Sequence, residues 1–184
     1  LALRTDLDDL KELVEQRRVE YAEQSQATEN VKKLFKIAYN TTMKPLQIVI
    51  DTNVLVAALR SWRGASFRLI RLLGDQRFDI NISVPLVLEY EKSTKRLAGR
   101  GGLSSRNIDD ILDYICTVAH HAKVFYLWRP FLRDSNDDMV LEVAVARGCQ
   151  FIVTFNKKDF RGVGQFGIEV LTPKEFLKRI GELK

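Results

Sequence analysis

The sequence is poor in several residue types, and each shortage excludes something. Only two of its 184 residues are cysteine, Cys116 and Cys149, so no disulfide framework or thiolate zinc site is expected. Both sit in apolar company and read as small core residues of a reduced, cytoplasmic protein. The two histidines, His120 and His121, stand side by side at the end of an apolar stretch, far from the acidic motifs. Glycine (10) and proline (4) are sparse, which excludes collagen-like and low-complexity classes. No run approaches the roughly 20 uncharged apolar residues of a membrane helix. No basic-then-apolar leader pattern opens the chain, so secretion is not expected. GxGxxG and GxxxxGK[ST] are both missing, which removes dinucleotide and P-loop readings.

What remains is a 46% hydrophobic, 29% charged chain, long enough to bury a core without covalent help. The net charge of +5 is unevenly placed. Residues 1–42 hold seven Lys/Arg against eight Asp/Glu, and 43–184 hold 22 against 16. The second segment therefore carries all the excess positive charge, which suits a polyanionic partner such as nucleic acid.

Residues 1–42 contain neither Gly nor Pro. Leu3, Leu7, Leu10, Val14 and Tyr21, then Val31, Leu34, Phe35 and Ala38, make apolar stripes at helical spacing. This predicts a helical N-terminal extension, either added to a complete domain or forming an ordinary subdomain. Met43-Lys44-Pro45 ends the pattern. From 43 to 184 strand and helix patterns alternate. Strands are expected at 47–51, 78–83, 122–127, 151–154 and 168–171, and helices at about 63–74, 84–98, 104–120, 136–147 and 173–182. Such alternation predicts right-handed βαβ units and a central parallel sheet between helical layers. Ligands of such sheets bind beyond the carboxyl ends of the strands.

Four polar spots fall at that edge. Asp51, with Thr52 and Asn53, ends the first strand, as a functional acid or as the cap of a following helix. Glu89 sits about one turn into the helix after the second strand, among apolar neighbours. Asp134, Asp137 and Asp138 open the helix before the fourth strand, and three acids in five residues exceed what capping needs. Thr154, Asn156 and Asp159 follow the fourth strand. Oxygen ligands without His or thiolate favour Mg²⁺ or Mn²⁺ over zinc. Phosphate affinity would come from Arg60, Arg63 and Arg68, from Lys92, Lys95, Arg96 and Arg100, and from Lys157, Lys158 and Arg161. Trp62 is either a base-stacking group or a partly buried anchor, and Gly99–Gly102 reads as a mobile loop.

These residues resemble the PIN domain nucleases, and among them the VapC-type toxins of toxin–antitoxin pairs. The carriers are Ile48 to Leu55, Pro85 to Glu91, Asp134 to Asp138 running into Leu141 and Ala144, and Ile152 to Phe160. The resemblance spans about 47–172. It implies a three-layer α/β/α fold with a central parallel sheet and metal-dependent cleavage of RNA to 5′-phosphate and 3′-hydroxyl ends. It implies acidic ligands at Asp51, Glu89 and Asp137 rather than Asp138, with a fourth polar position at Asn156 or Asp159. Many relatives carry an acid where Asn156 stands, which bears against a second tightly held cation. Relatives also imply an antitoxin partner, with residues 1–42 as an antitoxin-like segment, and a homodimer. Two other readings compete. A haloacid dehalogenase-type phosphatase needs a second acid where Asn53 stands. A receiver-like or PIN-like module would bind partners without catalysis.

Overall fold

A computed structural model describes Glu12, Glu15, Gln16 and residues 44–99 and 103–184. Glu12, Glu15 and Gln16 are helical, and Gln16 Nε2 donates to Glu12 Oε1 at 3.3 Å. The remainder of the expected N-terminal extension, and residues 100–102 of the expected mobile loop, lie outside the described residues.

The chain enters the sheet at β1 (Leu46–Ile50) and continues through α1 (Thr52–Arg60), α2 (Ala65–Arg71), β2 (Phe78–Ile82), α3 (Val84–Lys95), α4 (Ser105–Val118) and β3 (His120–His121). It then passes through α5 (Ser135–Ala146), β4 (Phe151–Val153), a 3₁₀ turn (Val163–Phe166), β5 (Glu169–Leu171) and α6 (Pro173–Arg179). The strand order is β3-β2-β1-β4-β5, and every pairing is parallel. The fold is the three-layer α/β/α architecture expected. β1 is central, and Ile48, Val49 and Ile50 are all buried, as a parallel strand covered on both faces requires. A register of Ile48 on Phe151 and Ile50 on Val153 sets β1 and β4 level, so their carboxyl ends meet at one edge.

Helix starts are encoded locally. Ser104 and Asn107 form a reciprocal capping box on α4, and Thr172 and Glu175 form one on α6 with Pro173 in its first turn. α5 packs against β1, β2 and β4, and α3 packs against α1, α4 and α5.

One polar network lies inside the sheet. Asn81, fully buried in β2, donates to Ile48 C=O (3.2 Å) and Gln47 Oε1 (3.1 Å) and accepts from Arg147 Nε (2.9 Å) at the end of α5. A polar group in that position is tolerated because its amide is satisfied.

Two expectations are corrected. The third strand is His120–His121, not 122–127. Its partner β2 stops at Ile82 because Ser83 begins α3, so the ladder ends once Ala122 N–H reaches Ile82 C=O (2.7 Å). Beyond it Phe125, Tyr126 and Leu127 are exposed despite their strand-like pattern. The stretch after Asp51 forms α1, a nine-residue helix that the sequence pattern did not single out. Trp62 packs edge-on against Phe67 (5.3 Å between centroids) and against the core, as an anchor does.

Candidate active site

Asp51 does two things at once. It is the N-cap of α1, its Oδ1 accepting weakly from Asn53 N–H (3.5 Å). Its Oδ2 accepts from Thr154 Oγ1 (2.5 Å) and from Asn53 Nδ2 (2.6 Å). Thr154, fully buried just past β4, uses its whole hydroxyl: it donates to Asp51 and accepts from Asn53 Nδ2 (3.0 Å) and Asn156 N–H (2.9 Å). Asn53 Oδ1 then accepts from Phe155 N–H (3.2 Å). Parallel pairing of β1 with β4 makes this possible, because it sets residue 51 beside residue 154. Burial pushes the Asp51 carboxyl above its ordinary range, against the lowering pull of the Thr154, Asn53 and Thr52 hydrogen bonds, and Asp159 adds repulsion. Thr52 contributes through its backbone as the first residue of α1.

Asp137 lies in the first turn of α5, which Asp134 caps by accepting from Asn136 N–H (2.9 Å). Partial burial, then repulsion from Asp51, Asp134, Asp159 and Asp138, raises its carboxyl to about 7. Among the described residues, no hydrogen bond or ion pair engages the side chain of Asp137 or Asp159. Asp51, Asp137 and Asp159 thus converge at the carboxyl edge, near enough for each pair to repel.

Asp138 takes a different part. It is fully buried, and its Oδ1 accepts from Leu132 N–H (2.9 Å), pinning the segment that leads into α5; its Oδ2 has no hydrogen-bond partner. Its neighbour Asp137 lies in the field of Asp51 and Asp159.

Glu89, partly buried on α3, is engaged along its own helix, accepting from Ser93 Oγ (2.8 Å) and pairing with Lys92 (3.5 Å). Among the described residues, no group of three or more His, Cys, Asp or Glu side chains is closed around a point where a metal ion could sit. The donor chemistry nevertheless fits a hard divalent cation: the groups are carboxylates, Asp51 and Asp137 each feel repulsion from Asp159 and Asp137 also from Asp51, and neither histidine belongs to them. His120 instead pairs with Asp79 (3.3 Å), and His121 contacts Cys116 C=O (2.8 Å) on the β3 side.

The basic residues divide. Lys157 and Lys158 follow Asn156 directly; Lys157 pairs with Glu175 (3.1 Å), and Lys158 is exposed. Arg60 ends α1, about 13 Å along the helix from Asp51. Arg63 lies beyond it, Lys95 is held by Glu91 and Asp109, and Lys92, Lys95 and Arg96 stand at the far end of α3. Arg68 is clamped to Glu182 (2.8 Å).

Sequence reasoning passed over three supports. The Tyr90 hydroxyl donates to Ile50 C=O, fastening α3 to the strand that ends in Asp51. Glu142, buried in α5, accepts a two-point contact from Arg129 (3.0 Å each) and takes Trp128 N–H (3.2 Å). Phe155 stands exposed directly after Thr154, its N–H on Asn53 Oδ1. An acid inside the apolar run of α5 was the signal for Glu142, since a buried charge requires a partner. Tyr90 had none beyond its helical spacing.

Comparison with protein families matches residues 47–158, more than half of the chain, to a model described as PIN domain. The match takes in Asp51, Glu89, Asp137, Asp138, Thr154 and Asn156 and stops just before Asp159. Comparison with curated proteins finds no match.

Proposed function

Because the chain belongs to the PIN domain family, we propose that it is a metal-dependent endoribonuclease that cleaves single-stranded RNA. The family suggests a nuclease, and a nuclease suggests a nucleic acid substrate. The observation that supports the reading is the set of carboxylates, Asp51, Asp137 and Asp159, that share one field at the carboxyl edge, with Asp137 raised to about 7 first by partial burial and then by repulsion from its neighbours. Like charges that repel in this way are relieved by a bound cation.

Asp51, Asp137 and Asp159 would hold Mg²⁺ or Mn²⁺, with Glu89 joining once its carboxylate turns from Ser93 and Lys92. When bound, the ion would acidify a coordinated water and offset phosphate charge. Thr154 and Asn53 hold Asp51 Oδ2 with short hydrogen bonds, so Oδ1, which accepts only weakly from Asn53 N–H (3.5 Å), is the atom that would face a ligand. Glu89 or Asp137 would orient the attacking water or take its proton. Lys157 and Lys158 would meet flanking phosphates. The wider reading adds a toxin role with an antitoxin partner, a homodimer and a cytoplasmic location. It rests on the resemblance of the Asp51, Glu89 and Asp134–Asp138 segments and on the positive excess of residues 43–184. Among the described residues, no helix is long and apolar enough to cross a membrane. Residues 43–184 would form the nuclease unit, since β1 and the family match begin within a few residues of that boundary.

The phosphatase alternative has less support: the Asn53 amide stands where it needs an acid and is spent on Asp51 and Thr154. A mixed RNA pool, incubated with Mg²⁺ or Mn²⁺ and sequenced at its new ends, tests the proposal. Cleavage leaving 5′-phosphates, abolished by chelator and by Asp51→Asn, is expected. If wild type and Asp51→Asn are equally inert across RNAs and metals, the binding-module reading replaces it. Turnover of phosphate monoesters alone would favour the phosphatase.

A further inference from the structure

Phe155 is half-exposed (49%), although it directly follows the fully buried Thr154. Single exposed apolar residues are common and need no explanation by themselves. This one is distinguished by how it is held. Its N–H donates to Asn53 Oδ1 (3.2 Å), while the next N–H, from Asn156, donates to Thr154 Oγ1 (2.9 Å). Asp159 N–H then closes a turn on Asn156 C=O (2.9 Å). The backbone on both sides of the ring is thereby fixed to the same side chains that fix Asp51, yet the ring itself stays out of the core. One short turn carries an aromatic face (Phe155), an exposed cation (Lys158) and an acid of the candidate site (Asp159).

The opposite flank matches. β2 and β4 lie on either side of β1, so their carboxyl ends stand roughly 10 Å apart across Asp51, two strand spacings. The helix that follows β2 exposes Val84 (71%) and Leu88 (58%) on its first turns. Exposed apolar side chains thus follow the strands on both sides of the one that leads to Asp51. Paired bases hide their faces inside a duplex, whereas an unpaired strand offers both phosphate and base faces.

We propose that Phe155 is a base-contacting residue: its ring stacks on an unpaired nucleobase next to the phosphate at the acidic cluster, with Val84 and Leu88 walling the other side, so that the groove selects single-stranded RNA. The inference rests on the nuclease reading for what happens to that phosphate, but stacking is measurable without cleavage.

The test uses the full chain carrying Asp51→Asn, so that RNA stays intact. Fluorescence anisotropy compares Phe155, Phe155→Ala and Phe155→Trp on three probes: a single-stranded RNA 12-mer, the same sequence as duplex, and a base-free ribose-phosphate oligomer. Phe155→Ala is expected to weaken single-strand binding at least about tenfold and to leave the other two probes unchanged. Phe155→Trp is expected to restore binding, and its emission, beyond the Trp62 and Trp128 background, is expected to be quenched by the single strand. Equal single-strand binding by Phe155→Ala together with unquenched Phe155→Trp overturns the proposal. If that result accompanies normal metal-dependent cleavage by wild type, the nuclease reading stands alone. If quenching occurs but wild type cleaves nothing, base stacking stands and the nuclease reading falls.

Discussion

Thr154 Oγ1 donates to Asp51 Oδ2 at 2.5 Å, joining the end of the fourth strand to the end of the first. The hydroxyl satisfies a buried carboxylate, and a hydrogen bond to a charged group contributes about 1.5–3 kcal/mol. Thr154→Val keeps the shape and removes the donor. It is expected to lower stability by about 2 kcal/mol in urea unfolding and to weaken Mg²⁺ binding, because Oδ2 loses its anchor. Thr154→Ser should retain most of both. Equal unfolding midpoints for wild type and Thr154→Val would show that the contact contributes nothing.

Asp137 gives a pH dependence with a definite sign. Its folded carboxyl sits at about 7, above the ordinary 3.8 of an unfolded chain. Between those values the folded state binds more protons, so in chelator stability falls as pH rises from about 4 to about 7, then levels. Asp51, also raised, adds in the same direction. Thermal midpoints across this window should decline for wild type and decline less for Asp137→Asn. Mg²⁺ or Mn²⁺ affinity should rise over the same window, because the ligand must lose its proton first.

The Arg129–Glu142 pair bears on the site at one remove. Glu142 is 3% exposed, so Arg129→Ala leaves a charge stranded in the packed helix that also carries Asp137. The expected loss is about 3 kcal/mol by chemical unfolding. Glu142→Gln with Arg129→Ala should recover part of it. Divalent affinity should fall with Arg129→Ala, because Trp128 and Leu132, held by Glu142 and Asp138, guide the chain into α5.

Residues 43–184 are expected to unfold cooperatively without 1–42, within a few degrees of the full chain by calorimetry. A collapsed or non-cooperative transition of the shorter chain would mean that the N-terminal segment completes the core.

The pattern of alternating elements was legible because it depends on local spacing. Ile48, Val49 and Ile50 announce a strand buried on both faces, and Asp134 with Asp137 and Asp138 announces a helix start. The third strand was misread for a reason no local pattern contains. Phe125 to Leu127 suit a strand, but β2 runs out at Ile82 and leaves them no backbone to pair with. The different surroundings of Asp137 and Asp138 were also tertiary in nature, because adjacent helical residues differ only in which neighbours they face: Asp138 is buried against Leu132 N–H, and Asp137 feels Asp51 and Asp159.

The sequence by itself determined that oxygen donors, and not thiolates or imidazoles, would gather at one edge of a parallel sheet, since residue identity and strand-helix alternation are local properties. Only the folded chain decided which of those acids repel each other, which are tied up by Thr154, Ser93 or Leu132, and that Phe155 would stand in water. Electrostatic fields and hydrogen bonds act over a few ångströms in space, and residues 51, 137 and 159 become neighbours only when the strands pair.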